Sequence, residues 1–435
     1  MLVVVLPFME SSTGHIFFRQ IGALYGPGIM LSITTPFSRK DVESVFFSRF
    51  WLGQSVLIVG ERNTSSSSWF VGTRGHMIEP DKKMRIYSAS KMVSSTVIYA
   101  IMEDPSVQQV STFSNMSRPR DILPWWNCSS GEFTGTEERC YDGLTVEKLL
   151  AFRSGLPSPG CENGNRVQGA SDAEAWETCG RQLFAMPSAD WAAAPRFDLF
   201  EYGTVGLFLA GLMAREARRQ VAGHEQDEWV DLLNDYVIAP AAITDAPAWD
   251  EAYFSDGTFA YDYSGDENKG YALPEFPGLG GALACSPRQY AQFLSALLGG
   301  ALVGAATLRE MTRSHGSTDG FGSGMNFLAG YAQGMWHGPD GYVNSVGLQG
   351  YFPWLDQTAA DPAEHLFGVL AQDAEPAFHD ALKLGEAIGI PLTLVALALS
   401  ARSILKARRA RRMQATGRSG ASAAAVAEKS AAAEV

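Results

Sequence analysis

The sequence predicts an α+β fold, in which strands from both ends of the folded region form a sheet and a largely helical middle is inserted between them. Two segments at 55–60 and 69–72, separated by a polar turn, are typical of a strand pair. An apolar stretch from Met92 to Met102 has the pattern of a buried helix. Further strand-like segments follow in the last third of the chain, near 331–336, 342–351 and 366–370.

Ser88 and Lys91 begin the first helical stretch, in the pattern S-x-x-K. Residues three apart on a helix share one face, so the two side chains can meet. A serine hydroxyl is a poor nucleophile until its proton is removed, and a lysine among apolar neighbours can accept that proton because burial disfavours its charged form. The alternative is a helix-capping serine followed by a solvated lysine, and the tetrapeptide alone fits both.

Two later segments carry polar side chains beside apolar structure. Tyr202 lies in the run 200–211, which passes from a polar turn into an apolar helix, and residues 344–351 form a glycine-broken strand pattern. A tyrosine at such a place is either part of a reaction centre or a buried ring whose hydroxyl meets a backbone group. The sequence around Tyr202 leaves both interpretations open.

Together these segments resemble the serine β-lactamase and penicillin-binding protein family, in its class C, D-alanyl-D-alanine carboxypeptidase and esterase branch. The family motif S-x-x-K falls on Ser88 and Lys91, and Y-x-N falls on Tyr202, with Thr204 where asparagine is usual. The third motif, K-T-G or H-x-G, falls on 344–346. Connecting segments that also match the family lie at 144–157, 280–286 and 331–336.

The resemblance implies a β-lactamase-like domain over 46–385, with an antiparallel sheet flanked by helices and a mostly helical insertion at about 106–275. The active site would lie in the cleft between the sheet and the insertion.

The resemblance also implies acyl transfer through an ester on Ser88. Lys91, helped by Tyr202, would take the serine proton and return it to the leaving group. The backbone N–H groups of Ser88 and Gly347 would form the oxyanion hole. The substrate would be a small molecule or peptide, held by Thr204, Asn344 and Ser345, and no cofactor is implied.

The third motif departs from the family pattern at two positions. Asn344 stands where the family has a lysine or histidine, and it carries no charge. Val346 replaces the glycine that lets substrate approach the strand. Two hypotheses follow: a serine hydrolase acting on an ester, amide or small peptide, and a non-catalytic relative that binds a ligand or partner in the same cleft. The intact Ser88, Lys91 and Tyr202 favour the enzyme, and the missing cation favours an ester over a free carboxylate.

Composition excludes several other classes. The chain has 435 residues, 46% of them hydrophobic and 19% charged, which suits a globular protein with a large core. A net charge of -13 disfavours nucleic acid as a partner, because phosphates attract lysine and arginine. The sequence has no P-loop, zincin or nucleophile-elbow motif. The seven histidines are scattered without metal-ligand spacing, so we expect no metal.

Four of the five cysteines cluster in a loop-rich region, while Cys285 stands apart. We expect two disulfides between neighbours, one of three connectivities; the alternative is four reduced thiols. The expected pairs are Cys128 with Cys140 and Cys161 with Cys179. Glycosylation sequons, which fit a secretory route, begin at Asn63, Asn115 and Asn127.

The segment 387–401 is uncharged and almost wholly apolar, and a cluster of basic residues follows it. This order predicts a single membrane-spanning helix at 386–405 with a cytoplasmic tail at 406–435, basic and then disordered. The preceding domain would then lie outside the cell or in a lumen, within the secretory pathway or at the cell surface. The alternative is a buried terminal helix, since a span prefers roughly 20 residues. For the N-terminal segment 1–45 two alternatives stay open: a weak signal sequence within its first 35 residues, or a true start that is missing.

Overall fold

The structure is a computed structural model. It describes the following residues: 55–74, 78–127, 140, 142–161, 172–187, 190–191, 198–243, 279–281, 283–316, 318, 330–337, 342–347, 351–357 and 361–372. The N-terminal segment 1–45, the expected span at 386–405 and the tail 406–435 lie outside these ranges. Within the ranges, no helix has both the length and the apolar character needed to cross a membrane.

A seven-stranded antiparallel sheet contains strands from both ends of the described chain. Its strands are β1 (Ser55–Glu61), β2 (Phe70–Arg74), β5 (Gly330–Tyr331), β6 (Trp336–His337), β7 (Val343–Asn344), β8 (Tyr351–Asp356) and β9 (Leu366–Gln372). They lie in the order β2-β1-β9-β8-β7-β6-β5. A second, two-stranded sheet pairs β3 (Met84–Arg85) with β4 (Ala284–Cys285). Strands β1 and β9 both lie inside the sheet, away from its edges, and their continuous apolar runs are buried along the strand.

Helices occur in the described parts of the chain between β3 and β4 and again after β4. The helices are α1 (Ser90–Glu103), α2 (Pro105–Val110), α3 (Pro119–Ile122), α4 (Val146–Leu150), α5 (Asp172–Ala185), α6 (Val205–Arg219), α7 (Trp229–Leu233), α8 (Pro287–Gly299) and α9 (Ala305–Thr312). A π-helical turn, Asn234–Ile238, follows α7. Helix α8 packs on the sheet against β1, β8 and β9, and α1 packs against α6.

The predicted α+β class and the antiparallel sheet flanked by helices are confirmed. The boundaries of the inserted domain, about 106–275, stay a prediction. Two predicted strands differ in detail. The segment 331–336 is a hairpin between β5 and β6, because Gly334 turns the chain with φ of 74°. The segment 342–351 divides between β7 and β8, which are joined past Asn344 by an isolated bridge from Gly347 to Tyr351.

Helix α6 carries the turn that holds Tyr202, and a glycine fixes how closely it approaches α4. A Cβ atom on Gly206 would lie 2.4 Å from the carbonyl oxygen of Leu149, a distance that real side chains do not adopt. Only glycine therefore allows the first turn of α6 to rest on the end of α4. This close packing sets the position of Tyr202, three residues before the helix.

One of the two expected disulfides lies within the described residues. Cys161 and Cys179 are joined, which ties the loop after α4 to α5. Cys140 is also disulfide-bonded, while its expected partner, Cys128, lies outside the described ranges. Cys285 is a free, fully buried thiol on β4.

Candidate active site

Ser88 lies in a 3₁₀ turn, Tyr87–Ala89, immediately before α1. The α-helix proper begins at Ser90, two residues later than the sequence predicted. Tyr87 adopts a left-handed conformation with φ of 46°, which costs roughly 1–3 kcal/mol for a residue with a side chain. The Ser90 hydroxyl donates to the Tyr87 carbonyl at 2.6 Å and accepts from the Leu283 N–H at 3.2 Å, so it helps to hold this strained turn.

Lys91 lies beside Ser88, as the helical spacing predicted. Its Nζ atom is 3.1 Å from Ser88 Oγ and donates to the carbonyl oxygen of Gly280 at 2.7 Å. The side chain is 3% exposed, and the ring of Tyr202 lies 4.8 Å from Nζ. Burial lowers the pKa of Lys91 from 10.5 to about 7, because the charged form loses its hydration. The neutral amine can then accept a hydrogen bond, and a proton, from Ser88.

Gly280 is a contributor to the site that the sequence did not single out. Its carbonyl orients the Lys91 amine, and a Cβ at this position would lie 2.4 Å from Thr204 Cγ2 and 3.3 Å from Lys91 Nζ. The preceding residue, Leu279, accepts a hydrogen bond from Ser94 on α1. The glycine pair within 280–286 was the available signal, since consecutive glycines indicate close backbone approach.

Tyr202 completes the group around Ser88. Its side chain makes a hydrogen bond with that of Ser88, although the two residues are far apart in the sequence. Burial raises the pKa of Tyr202, so the phenol stays protonated at neutral pH. The ring stacks on Trp336 with centroids 5.1 Å apart, and Phe152 packs edge-on at 5.5 Å. These aromatic contacts fix the direction of the hydroxyl.

The third motif lies against the same turn but offers a neutral surface. The Ser345 hydroxyl donates to the backbone carbonyl of Ser88 at 3.0 Å. Asn344 is 1% exposed, and neither atom of its amide has a hydrogen-bond partner among the described residues. Asn344 is the cross-strand partner of Trp336, the ring that stacks on Tyr202. The partly buried side chain of Val346 packs against the core.

We expected the backbone N–H of Gly347 to be an oxyanion donor, and that role stays a prediction. Its N–H donates to the carbonyl of Tyr351 at 2.7 Å, because the chain closes a tight bridge between β7 and β8 there. That donor is therefore occupied within the protein. A Cβ on Gly347 would lie 2.2 Å from the carbonyl oxygen of Ile86, so the glycine also lets β7 approach the turn that carries Ser88.

Among the described residues, two groups of side chains each bring three potential metal ligands together. In each group an arginine contacts at least two of the three. The two groups are Glu147, Glu310 and His315, and His224, Asp227 and Asp235. Arg313 Nη2 lies 2.8 Å from Glu147 and 2.6 Å from Glu310. Arg218 contacts all three members of the second group. A guanidinium already supplies the positive charge in both, so neither arrangement points to a metal ion.

Comparisons with known proteins identify the family and the fold. The sequence profile of the family described as Beta-lactamase matches residues 52–389. No curated protein matches the chain. The octameric penicillin-binding protein homologue from Pyrococcus abyssi superposes with a TM-score of 0.52 and 14% identity, over 80% of this chain and 78% of that one.

Two further solved structures are similar at low identity. EstA from Arthrobacter nitroguajacolicus Rue61a has a TM-score of 0.50 and 16% identity, over 77% of this chain and 89% of its own. D-amino acid amidase from Ochrobactrum anthropi SV3, complexed with D-phenylalanine, has a TM-score of 0.48 and 15% identity, over 84% of this chain and 99% of its own. At such identities the likeness to EstA and to the Pyrococcus homologue establishes the fold alone.

Proposed function

The chain belongs to the beta-lactamase family, and from that premise we propose that it is a serine hydrolase that forms an acyl ester on Ser88. One observation carries the proposal: the buried Lys91 amine lies 3.1 Å from the Ser88 hydroxyl. That distance is within reach of direct proton transfer, and burial favours the neutral amine that the transfer requires.

In the proposed reaction, Ser88 Oγ attacks the substrate carbonyl and its proton passes to Lys91. The hydrogen-bonded phenol of Tyr202 assists, and Lys91 then returns the proton to the leaving group as the ester forms. Water hydrolyses the ester in a second step that regenerates Ser88. The backbone N–H of Ser88 serves as an oxyanion donor.

The substrate we propose has a neutral acyl group, an ester in the first instance. Asn344 supports this, because an amide can donate to and accept from a neutral ligand but cannot neutralise a carboxylate. A small substrate would contact Thr204, which lies beside Gly280 and Lys91, and Ser345, which lies against the Ser88 backbone.

A second candidate function is ligand binding without chemistry. The hydrogen bond from the Gly347 N–H to the Tyr351 carbonyl favours this second candidate, because that bond engages one of the two expected oxyanion donors. Ser88, Lys91 and Tyr202, however, retain a reactive arrangement, which is why we prefer the hydrolase.

We further propose that the domain works in the secretory pathway or at the cell surface. The Cys161–Cys179 disulfide supports this location, because disulfides persist in oxidising compartments.

Covalent labelling tests the proposed function. We expect a neutral fluorophosphonate probe to add one label to the folded wild type, on the peptide that contains Ser88, and to leave Ser88→Ala and heat-denatured wild type unlabelled. A penicillin-based probe, which carries a carboxylate, should label the wild type more slowly. Mass spectrometry of the intact protein and of its peptides gives both results. Folded wild type that takes no label from either probe would establish the binding protein instead.

A further inference from the structure

Helix α1 and the turn before it carry a line of polar side chains that runs from the reaction centre into the core. Ser88, Lys91, Ser95 and Tyr99 follow one another at steps of three, four and four residues, so they share one face. Ser95 is fully buried and Tyr99 is 3% exposed. Neither hydroxyl has a hydrogen-bond partner among the described residues. A buried hydroxyl left unpaired costs about 1–3 kcal/mol, and proteins ordinarily satisfy such groups with ordered water.

The turn between β5 and β6 continues this line. A Cβ on Gly334 would lie 2.2 Å from Ser95 Oγ and 2.9 Å from the Lys91 carbonyl, so the turn rests directly on this face of α1. The neighbouring Gln333 is fully buried, and its Oε1 atom is a further unpaired polar atom among the described residues. The amide nitrogen of Gln333 lies 2.5 Å from His315 Nε2. The buried polar groups therefore extend from α1 to His315.

His315 joins the line to a charged group that reaches solvent. Its Nδ1 atom lies 3.4 Å from Glu147 Oε1, and Glu147 in turn pairs with Arg313, which is half-exposed. Four charged side chains surround His315. Glu147 and Lys148 lie on α4, Glu310 lies on α9, and Arg313 directly follows α9. Burial lowers the pKa of His315, which keeps the imidazole neutral and able both to accept and to donate a proton.

The Tyr99 hydroxyl is influenced by the carboxylates near His315, although it lies on the helix that carries Lys91. Burial raises the pKa of its hydroxyl, and the negative charges of Glu310 and Glu147 raise it further. Side chains on a helix lean toward its N terminus, and Ser95 lies one turn N-terminal to Tyr99 on the same face. The Tyr99 side chain therefore interacts electrostatically with Glu147 and Glu310 and also shares a helix face with Lys91.

We propose that Ser95, Tyr99 and Gln333 hold a chain of ordered water molecules that carries protons from Lys91 to the His315–Glu147 pair. This inference rests on the proposed function. Hydrolysis of an ester consumes one water and yields an alcohol and a carboxylic acid, which ionises at neutral pH, so each turnover leaves one proton at the site. The chain delivers that proton to His315 and Glu147, and from there to solvent, while product still fills the cleft.

Removing single hydroxyls from this line tests the proposal. Tyr99→Phe, and independently Ser95→Ala, should lower kcat for a neutral aryl ester about tenfold and raise the solvent deuterium isotope effect on kcat, because proton release becomes slow. The fluorophosphonate labelling rate at Ser88 should stay within about twofold of wild type, because acylation returns its proton to the leaving group. Thr96→Val is the matched control, since the Thr96 hydroxyl is buried on the same helix but bonds to the Met92 carbonyl. That control should keep wild-type kcat and isotope effect.

Four results separate the outcomes. Wild-type kcat in both Tyr99→Phe and Ser95→Ala overturns the proton chain, as does an equal fall in labelling and turnover, which would indicate a structural role. A crystal structure of the wild type should place water within hydrogen-bond distance of Ser95 Oγ, Tyr99 Oη and Gln333 Oε1; a dry interior there overturns the chain even if a variant fails to fold. Wild type that takes no label at Ser88 overturns the proposed function itself.

Discussion

Lys91→Met is expected to lower the rate of Ser88 acylation by about 10³-fold while the protein stays folded. Methionine nearly matches the lysine stem in volume, so it keeps the packing against Tyr202 but offers no proton acceptor. The Ser88 proton then has no base in direct contact, and the Gly280 carbonyl loses its donor. Stopped-flow measurement of fluorophosphonate labelling, together with the melting temperature, separates loss of the base from loss of the fold.

Lys91→Arg is the matched control for charge. Arginine keeps a cation at this position but cannot be deprotonated in a protein, so it cannot act as a base. We expect the rate of Ser88 acylation in Lys91→Arg to be as low as in Lys91→Met. An arginine variant with near-wild-type acylation would mean that Lys91 acts through its charge, and the proposed proton transfer would be wrong.

Tyr202→Phe is expected to lower the acylation rate by about 10²-fold, the second largest effect. The change removes the hydroxyl that bonds to Ser88 but keeps the ring that stacks on Trp336. Because Lys91 remains beside Ser88, the loss should be smaller than in Lys91→Met. The rate of labelling at pH 8, where Lys91 is neutral, gives the comparison.

Tyr331→Phe is the control for this second change. Tyr331 is buried in the same aromatic cluster, with its ring 6.1 Å from that of Tyr202, and we assign it no part in the reaction. Its replacement should leave the acylation rate near wild type. Equal losses in Tyr202→Phe and Tyr331→Phe would show that the cluster matters only for packing.

The local part of the site could be read from the sequence because it depends on helical spacing. Ser88 and Lys91 meet because they are three residues apart where a 3₁₀ turn continues into α1, and the apolar run behind them accounts for the burial that lowers the Lys91 pKa. Tyr202 was placed only through the family resemblance, since no local pattern states which distant turn reaches Ser88. The sheet class followed from strand-like segments at both ends of the chain.

The sequence could not predict where backbone groups point. The Gly280 carbonyl receives Lys91, and the Gly347 N–H is turned toward Tyr351; both directions depend on how loops close, which residue types do not encode. The sequence of residues 344–351 predicts one strand, because its glycines are compatible with a strand as well as with a turn. The buried line through Ser95 and Tyr99 was likewise hidden, because a serine and a tyrosine within an apolar helix match ordinary core positions.

The pH dependence of Ser88 acylation tests the central claim most directly. Neutral Lys91 is the reactive form, so the rate should rise tenfold per pH unit at low pH, bend at a pKa of about 7, and stay level to pH 9. No decline from Tyr202 is expected in this range, because burial raises its pKa. Lys91→Met should lose the bend. A wild-type profile that bends near 10.5, the ordinary lysine value, or that matches the profile of Lys91→Met, would contradict a buried neutral lysine as the base.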